Sequence, residues 1–571
     1  MSPGTKTWRL VPLDNRADEL MRCSGISPIQ AMLLANRGIT RLKSALEFLD
    51  PRLESMADPM DMADMEQAVS ALVSAITSQR KITVYGDYDA DGLTSTALLV
   101  HFLSRFRLNV NWYIPNRLTE GYGLSEAALS RIAADGTSLV ITVDCGSSNA
   151  AEVEFAKRMG LEVVVTDHHR VSGDSLPDCP FVNPNRPDCR FPFKNLAGVG
   201  VAFYLLVALR SRLRSKGFFK NLEEPDLREY LDLVALGTVA DAVPLTRENR
   251  AFVKYGLSRM SKSKWWGIEA LKTVCGCGNN HMTSEDAAFK LAPRLNAAGR
   301  IGDSTSGIKL LLAREPLETT RWTRALEYAN KKRKIEENRI LAKAEKIAES
   351  MVIGNRTLFM AAKNWHRGVI GIAASRLVEK FNRPTALLSI AGDIAYGSAR
   401  SVPGFDLHDA LGKLAHLLNS FGGHAMAAGF SLGTDRIKTV EEAFEAIASE
   451  TMESNPPPPE VLIDAEMELS RIDDNFISDL TGLAPYGEGN PEPRFIARGL
   501  RVISPRVVGR DHLKMDVADG DDIKEAIGFG MAEEKPPEGG LMDMVFTPEI
   551  NSWQGVSRIQ LRIADMRPST R

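Results

Sequence analysis

Three apolar segments of this sequence end directly in acidic residues or histidines, and they follow one another closely along the chain. They are ITVYGDYDADG (82–92), LVITVDCG (139–146) and VVVTDHH (163–169). Their β-branched residues predict buried strands, and helix-like stretches such as GLTSTALLVHFLSRF (92–106) between them predict parallel strands joined by crossovers. Because ligands bind at the carboxyl ends of parallel strands, we expect these acids and histidines to collect in one cleft.

Such a cluster of carboxylates requires a cation. Several acids within a few ångströms repel one another, and they cannot all stay ionised in a partly buried cleft unless a metal neutralises them. The helix-like segment LVALGTVADAV (233–243) adds one more isolated acid, Asp241. Imidazole beside carboxylates suits Mn²⁺ or another transition metal better than a purely oxygen cage would. The sequence therefore predicts a metal centre built from Asp and His.

Hydrolysis of a phosphodiester is the reaction that such a centre performs best. Two ions about 3.5–4 Å apart can activate water and stabilise the leaving oxygen without a covalent nucleophile. The sequence contains no GxxxxGK[ST] phosphate loop, no GxSxG elbow and no HExxH pair. The Asp spacing also begins an EF-hand loop, but Leu98 or Val100 stands where its final Glu is needed. GVG (198–200) lacks the third glycine of a dinucleotide fold, and we interpret it as a helix-packing segment.

Composition narrows the class of protein. The 571 residues are 44% hydrophobic and 25% charged, which is ordinary for a globular chain of several domains. A net charge of −3 argues against a basic surface overall, although a dense acidic site can mask a basic channel in the sum. The longest apolar run, LAGVGVAFYLLVAL (196–209), is too short to cross a bilayer, and MSPGTKTWRL lacks a signal-peptide core. With six scattered cysteines that fit reduced thiols, we expect a cytoplasmic protein.

The order of elements predicts an α/β fold with a parallel-sheet catalytic domain over 61–321, preceded by a helical segment over 1–60. A stretch rich in helix formers and free of Gly and Pro predicts one long connecting helix over 322–352. A second, smaller α/β domain is expected over 353–453, where strand-like TLFMAA and TALLSI flank a helix-like segment.

A proline-rich stretch, SNPPPPE (454–460), predicts a stiff spacer. After it the apolar residues alternate with a period of two, which indicates β-strands with one buried face. Leu513, Met515 and Val517 show the pattern, and Ile559, Leu561 and Ile563 repeat it. The sequence therefore predicts a small β-barrel within 454–571.

Further motifs follow in order: GTVADAVPLTRENR, RLNAAGRIGD, WHRGVIGIAASRL, GSARSVPGFDLHDAL and FGGHAMAAGF. Together with GDYDADG and the Asp167-His168-His169 run, they resemble the DHH phosphoesterase superfamily, and within it the single-stranded-DNA-specific exonucleases, over nearly the whole chain. The resemblance implies a DHH catalytic domain, a DHHA1-type substrate-binding domain and a C-terminal OB-fold domain that binds nucleic acid. It also implies 5′→3′ hydrolysis of single-stranded DNA to 5′-mononucleotides with two Mn²⁺ or Mg²⁺ ions, in recombination and repair.

The resemblance assigns roles to individual residues near the predicted metal centre. Asp87 and Asp167 would orient the ligands, and His169 would face the scissile phosphate and act in catalysis with Asp144 and His168. The metal-ligand positions of the family correspond to Asp89, Asp91, Asp144, His168 and Asp241.

The resemblance also implies a pocket for a 5′-phosphate away from the metals, and arginine forks suit phosphate oxygens. Its candidates are Arg117, Arg300, Ser398 and Arg400. Tyr122 in EGYGLS either stacks on a base or packs in the core, and His424 in GGH would approach substrate phosphates. Arg294 and Arg300 lie in KLAPRLNAAGR, which has three basic residues and no acid, and this favours an anion-facing loop.

Two other functions remain open at this stage. A DHH oligonucleotide or dinucleotide phosphodiesterase would use the same metal centre, but the length of the chain and the extra barrel count against it. A non-catalytic single-strand-binding relative would have lost metal ligands, whereas every ligand position here is filled. The family also implies single-strand-binding protein and a repair helicase as partners. We expect a monomer that does not associate with membranes.

Overall fold

The computed structural model describes residues 6–12, 16–23, 25–171, 176–278, 281–453, 458–553 and 556–570. Residues 454–457 of the predicted proline spacer lie outside the described residues. The chain folds into two compact units, of which the larger contains Ala57–Asp241 and Tyr255–Pro459. The smaller contains Lys6–Met56, Ala242–Lys254 and Glu460–Arg571. In the described part of the chain, no helix is both long enough and apolar enough to cross a membrane.

The first described elements belong to the smaller unit. Helix α2 begins with a reciprocal capping box, because the Ser27 side chain accepts from the Gln30 amide and the Gln30 side chain accepts from the Ser27 amide. The elements are strand β1 (Thr7–Leu10) and helices α1 (Ala17–Met21), α2 (Pro28–Asn36) and α3 (Leu42–Leu49).

A five-stranded parallel sheet lies in the larger unit, in the order β3-β2-β4-β5-β6. Its strands are β2 (Ile82–Gly86), β3 (Val110–Tyr113), β4 (Leu139–Val143), β5 (Glu162–Thr166) and β6 (Phe181–Val182). The register pairs Gly86 with Val143 and Val143 with Thr166. The residues that follow β2, β4 and β5 therefore emerge at the same edge, and the predicted parallel sheet is confirmed.

Helices pack around this sheet, and every residue of β2 and β4 is buried. Helix α5, which begins within the first acidic motif, packs against α8 and α9. A π-helical segment, Asp286–Leu291, leads directly into α12. The helices are α4 (Met65–Thr77), α5 (Ala90–Leu103), α6 (Glu126–Ala134), α7 (Ala150–Arg158), α8 (Gly198–Ser215), α9 (Leu231–Ala240), α10 (Arg247–Met260), α11 (Trp266–Val274), α12 (Ala292–Ile301) and α13 (Thr305–Leu311).

One helix of 36 residues, α14 (Pro316–Met351), runs where the sequence predicted a single helix over 322–352. A second sheet follows it, with strands in the order β10-β11-β9-β8-β7. Only the β7–β8 pair is parallel, and the other pairs are antiparallel. The elements are β7 (Leu358–Lys363), α15 (Ile370–Phe381), β8 (Thr385–Ala391), β9 (Ile394–Arg400), α16 (Leu407–Lys413), β10 (Ser420–Gly423), β11 (Ala427–Gly433) and α17 (Ile437–Thr451).

The predicted β-barrel is confirmed in the smaller unit. Strands run in the order β14-β15-β16-β18-β17, and pairing of β14 with β17 closes the ring. Leu513, Met515 and Val517 of β15 are all buried, as the alternation predicted. The elements are β12 (Glu460–Ile463), β13 (Ala465–Glu466), α18 (Asp474–Leu483), β14 (Phe495–Val508), β15 (His512–Asp519), β16 (Asp522–Gly528), β17 (Leu541–Trp553) and β18 (Val556–Pro568).

The N-terminal helices share one hydrophobic core with the barrel. Leu33 and Leu34 of α2 are fully buried in the same cluster as Phe495 and Phe546 of the barrel strands. Strand β1 pairs with β12 in parallel, in a separate two-stranded sheet. The smaller unit is therefore assembled from segments that are distant in sequence, a relationship that hydrophobic periodicity alone does not reveal.

Candidate active site

Eight acidic and imidazole side chains meet at the carboxyl edge of the parallel sheet. They come from the residues that follow β2, β4 and β5, including the first turn of α5, and from the residue that follows α9. Parallel register places the three loops side by side, as the sequence predicted. The residues are Asp87, Asp89, Asp91, Asp144, Asp167, His168, His169 and Asp241.

Seven of these side chains form three overlapping groups of candidate metal ligands. Within each group, one ligand atom from each residue lies within 4.8 Å of the others. His168 connects two groups, since its Nε2 atom lies 3.1 Å from Asp144 Oδ1 and 3.6 Å from Asp241 Oδ2. The groups are Asp144, His168 and His169; Asp91, His168 and Asp241; and Asp87, Asp89 and Asp144.

The hydrogen bonding of this cluster fits divalent metal ions. Asp87 Oδ1, Asp144 Oδ1 and His168 Nε2 are buried, and none has a hydrogen-bond partner among the described residues. Buried polar atoms without partners cost folding free energy and are rare in native proteins. These atoms are also the kinds that coordinate metals, and a mixture of carboxylate and imidazole matches Mn²⁺. The donor set therefore fits one or more divalent ions.

The acids of the cluster resist ionisation when no cation is present. Burial, followed by the charge of Asp241, raises the pKa of Asp91 to about 7. Burial and the charge of Asp89 raise the pKa of Asp241 to about 7 as well. Burial and Asp91 raise the pKa of Asp144 far above its ordinary value. Divalent ions would reverse these effects by favouring the charged carboxylates.

The first motif folds as a strand-to-helix turn that aims two carboxylates at the cluster. Asp89 is the N-cap of α5, and its Oδ1 accepts from the Asp91 and Gly92 amides. A Cβ on Gly92 would lie 2.6 Å from the backbone of Asp87, so only glycine fits at this position. These local bonds explain why the motif requires its Asp spacing and its glycine.

The N-terminus of α8 holds Asp91 in place. The amides of Gly198 and Val199 donate to the two oxygens of Asp91, at 2.6 and 2.9 Å. A Cβ on Gly198 would also lie 2.8 Å from the side chain of Asp144. GVG begins a helix that packs against α5 and α9, as the helix-packing interpretation expects. Its first glycine also forms part of the acidic site, where its amide positions a carboxylate.

Asp144 itself has an unusual backbone conformation. Its φ angle is +61°, in the left-handed region that residues other than glycine rarely adopt. Strain of this kind occurs at functional sites, where the surrounding structure compensates for its cost. Here the strained backbone follows β4 directly and carries one of the buried carboxylates of the candidate metal cluster.

His169 is oriented by Asp167. The Nδ1 atom of His169 lies 2.8 Å from Asp167 Oδ1, and Asp167 also accepts from the Ser147, His168 and His169 amides. Burial alone would lower the pKa of His169, but the hydrogen bond and charge of Asp167 raise it to about 9. Burial would likewise raise the pKa of Asp167, but His169 and His168 lower it well below the usual range. Asp167 thus belongs to none of the three ligand groups and fixes a neighbour instead.

Tyr122 lies against the same histidine. Its hydroxyl donates to the Asp144 carbonyl at 3.1 Å and lies 3.0 Å from His169 Nδ1. The side chain is 48% exposed, so it is not packed in the core, the second alternative that the sequence left open. Its ring meets the His169 ring edge-on at 5.5 Å.

Three arginines form a second cluster of unpaired charge. Burial, followed by Arg117 and Arg400, lowers the pKa of Arg300 to about 10. Burial and Arg117 lower the pKa of Arg400 too. None of the three forms a salt bridge with a carboxylate among the described residues. A half-buried cluster of like charge that forms no salt bridge among the described residues has the electrostatics of an anion site.

Ser398 and the glycines near it complete the surroundings of this cluster. Arg400 donates to Ser398 Oγ at 3.3 Å, and Arg300 donates to the Gly368 carbonyl at 3.4 Å. A Cβ on Gly371 would lie 2.8 Å from Ser398 Oγ and 3.2 Å from Arg400. The structure therefore brings Ser398 and Arg400 of the second α/β region together with the N-terminus of α15. The pattern GVIGIAASRL predicted that helix but not this contact.

His424 and Arg294 are the two remaining residues that the sequence singled out. His424 is exposed, and after burial the charges of Arg170 and His169 lower its pKa, so the GGH loop lies within electrostatic reach of His169. Arg294, in contrast, forms a salt bridge with Glu327 at 2.7 Å and lies in helix α12. The predicted anion-facing loop is wrong for this residue, because an acid distant in sequence neutralises it.

One polar side chain of the site is not indicated by any sequence pattern. Asn296 accepts from the Ala90 amide at 2.7 Å and so links α12 to the turn that carries Asp89 and Asp91. Its motif, RLNAAGR, drew attention only through its arginines. An asparagine in a helix carries no signal of this role without the three-dimensional contact.

Comparison with known families identifies all three folded regions. The DHH family N-terminal domain matches residues 81–238, the DHHA1 domain matches 354–450, and the RecJ OB domain matches 463–565. The β-barrel therefore corresponds to an OB fold, and the predicted architecture is confirmed.

Characterised relatives match almost the whole chain. The single-stranded-DNA-specific exonuclease RecJ of Salmonella typhimurium is 38% identical over 561 residues, which cover 95% of this chain and 96% of the relative. The RecJ protein of Escherichia coli shows the same identity and coverage. A crystal structure of RecJ from Thermus thermophilus in complex with Mn²⁺ is 31% identical, with a TM-score of 0.84, over 99% of this chain and 80% of that one. On this evidence, the chain belongs to the RecJ family of single-stranded-DNA-specific exonucleases.

Proposed function

We propose that this protein is a metal-dependent exonuclease that degrades single-stranded DNA from its 5′ end and releases 5′-mononucleotides. One observation carries the proposal: a buried cluster of Asp and His donors without partners and a separate cluster of unpaired arginines lie in the same compact unit. The first cluster suits metal ions, and the second suits a terminal phosphate. The RecJ relatives at 38% identity support the same substrate.

The metal ligands that we propose are those that converge around His168. Divalent ions bound there, Mn²⁺ or Mg²⁺, would activate the attacking water and stabilise the leaving oxygen. Asp87 is an additional candidate, since its free Oδ1 lies in the group formed with Asp89 and Asp144. The ligands are Asp89, Asp91, Asp144, His168 and Asp241.

His169 would stabilise charge on the scissile phosphate. Asp167 holds its Nδ1 atom, and this hydrogen bond and charge raise the pKa of His169 and so favour the protonated ring. The Nε2–H group is then available to donate to a phosphate oxygen whose charge grows in the transition state. Tyr122 steadies the ring from one side, and the exposed part of its own ring is available to stack on a base.

The arginine cluster would select the 5′ end. Arg117, Arg300 and Arg400, with Ser398, would grip a terminal phosphate, which carries more charge than a phosphodiester within the strand. An enzyme anchored at that phosphate cuts a fixed distance inward, so each turnover removes the first nucleotide. This arrangement accounts for 5′→3′ polarity without any recognition of bases.

The remaining regions would guide a long substrate. The OB-fold region within 454–571 would contact single-stranded DNA, as folds of this class do through basic grooves and aromatic platforms. The region over 353–453 would hold the phosphate pocket together with the catalytic region over 61–321, and the helix over 322–352 would join them. Residues 1–60 would support the barrel, whose core α2 shares.

The cellular setting follows from the same proposal. An enzyme that resects single strands would act in DNA recombination and repair, in the cytoplasm. Its partners would be proteins that expose or coat such strands, namely a repair helicase and single-strand-binding protein. We propose that it acts as a monomer, because the donor and arginine clusters are both supplied by a single chain.

A substrate panel tests the activity. 5′-Phosphorylated single strands, blunt duplexes and dinucleotides would be incubated with Mn²⁺ or Mg²⁺, with Asp144→Asn as the metal-site variant. We expect mononucleotides from single strands only, and no product from the variant or from the parent protein with chelator. Cleavage confined to dinucleotides would identify a small-substrate phosphodiesterase, and failure to cleave any substrate would leave only binding.

A further inference from the structure

The solvent-facing side of α14 carries a row of cations with exposed apolar side chains between them. Arg321, Arg324, Tyr328, Lys331 and Ile335 follow one another at intervals of three or four residues, so they share one face of the helix. Tyr328 is 70% exposed and Ile335 is 69% exposed. The three basic residues are exposed as well. We call these five residues the basic face.

The acids of α14 leave the basic face uncompensated. Glu327 pairs with Arg294, Glu337 pairs with Arg333, and Glu336 pairs with Arg339. In contrast, Arg321, Arg324 and Lys331 form no salt bridge within the described residues. Exposed helix cations normally gain a little stability from acids one turn away, but here those acids face other partners. The basic face therefore presents a net positive charge to solvent.

The basic face is separate from the proposed active site. Arg333 is buried on the opposite side of α14, and its charge contributes to lowering the pKa of Arg300 in the arginine cluster. Lys331 is two residues away from Arg333, which places the two on nearly opposite sides of the helix. The side of α14 that faces the phosphate pocket is thus not the side that carries the unpaired cations.

We propose that the basic face of α14 is a second contact surface for single-stranded DNA, outside the catalytic cleft. The inference rests on the proposed function, since it assumes a long single-stranded substrate. The face extends over about 21 Å, at 1.5 Å per residue from Arg321 to Ile335. Its cations would neutralise phosphates, and the exposed ring of Tyr328 would stack on a base.

The combination of side chains favours a single strand over other polyanions. Phosphates alone would be satisfied by lysines and arginines on any duplex, but a duplex keeps its bases stacked within the helix. A ring that is 70% exposed among the cations, with an equally exposed aliphatic side chain one helical turn beyond Lys331, suits unpaired bases. A second exposed ring, Phe289 at 75%, lies on the π-helical segment that Arg294 connects to Glu327 of α14.

A neutralised variant tests the proposal. Arg321→Gln, Arg324→Gln and Lys331→Gln, combined in the full chain, remove the three exposed charges of the basic face and keep good helix formers. Binding of long oligo(dT) would be measured by fluorescence anisotropy, without divalent metal, at several salt concentrations. We expect the slope of log Kd against log salt to fall by about 2, since each lost phosphate contact contributes about 0.7. Tyr328→Ala alone should weaken binding about tenfold.

Matched controls separate this surface from general charge and from the active site. Lys216→Gln, Lys262→Gln and Lys438→Gln make the same change in net charge at exposed lysines on other elements, and should keep the parent slope. The neutralised α14 variant should also cleave short 5′-phosphorylated oligonucleotides at the parent maximal rate, because none of its three positions belongs to the catalytic cleft.

Two results would overturn the proposal. One is a salt slope and a Kd equal to those of the parent protein. The other is that polyglutamate displaces a labelled long strand from the parent protein as effectively as unlabelled oligo(dT) does. That result would identify a surface for acidic polypeptides. Binding is measured independently of cleavage, so a parent protein that binds through α14 but cuts nothing would contradict the proposed function and not this inference.

Discussion

Arg300 is half-buried beside two other arginines and forms no salt bridge with a carboxylate among the described residues. Burying a charge without a counter-charge costs folding free energy, and this cost is acceptable when a ligand supplies the missing charge. The same reasoning applies, with opposite sign, to the free oxygens of Asp87 and Asp144. At the scale of single residues, the site therefore consists of an anion-seeking half and a cation-seeking half.

Replacing Arg400 tests whether the arginine cluster acts independently of the metal ligands. Arg400→Ala should lower kcat/KM for 5′-phosphorylated strands about ten- to a hundredfold, since a charged hydrogen bond contributes about 1.5–3 kcal/mol. Its effect on 5′-hydroxyl strands and on Mn²⁺ affinity should be small. Steady-state kinetics on both substrates and metal titration check this. Arg376→Ala, at a 60% exposed arginine of α15, serves as the control. If Arg400→Ala lowered kcat/KM equally for 5′-phosphorylated and 5′-hydroxyl strands, Arg400 would be structural.

Sequence patterns predicted the ionisable residues of the site much better than the groups that hold them. Except for Asp241, each Asp and His of the site follows a strand-like run, and parallel register then brings them together. Asn296 and the amides of Gly198 and Val199 carry no such pattern, because their roles depend on where a distant helix begins. The prediction that Arg294 faces an anion was wrong for a similar reason, since its partner Glu327 is far away in sequence.

At the scale of elements, helices α8 and α9 complete the site that the strands begin. The N-terminus of α8 donates two amides to Asp91, and Asp241 follows the last residue of α9. A Cβ on Gly237 of α9 would lie 2.8 Å from Asp91 Oδ1, so the helix can approach that carboxylate only through glycine. The spacing between metal ligands is thus set by helix packing as well as by strand register.

Gly198→Ala tests this dependence. The added methyl group would lie 2.8 Å from the Asp144 side chain, which must then move. We expect Mn²⁺ affinity and kcat each to fall at least about tenfold, as when groups that orient metal ligands are lost, while the far-ultraviolet circular dichroism stays unchanged. Gly412→Ala is the matched control, since nothing lies within 4 Å of its Cβ. Parent-like metal affinity in Gly198→Ala would contradict the role assigned to α8.

At the scale of the whole molecule, the smaller unit combines parts that the sequence suggests are separate. Period-two alternation predicted the barrel, but no pattern indicated that α2 would fill its core. Such long-range packing depends on which apolar faces remain uncovered after each element forms, and a single sequence does not reveal that. The N-terminal helices thus contribute to the stability of the OB fold.

Leu34→Ala tests this shared core. Leu34 is fully buried, so its truncation should lower the free energy of unfolding of the smaller unit by about 2–5 kcal/mol. Leu42→Ala, at a side chain that is 42% exposed, should change it by about 0.5 kcal/mol or less. Calorimetry of the full chain measures both. Equal and small effects would show that the N-terminal helices are dispensable for the barrel.

The polarity of digestion tests the central claim most directly. A 5′-phosphorylated single strand with distinguishable labels on its first and last nucleotides would be incubated with Mn²⁺ and sampled through time. The arrangement of metal ligands and unpaired arginines predicts that the 5′ label appears first, as a mononucleotide, and that Asp144→Asn releases neither label. Release of the 3′ label first, or release of both labels together by internal cuts, would contradict it.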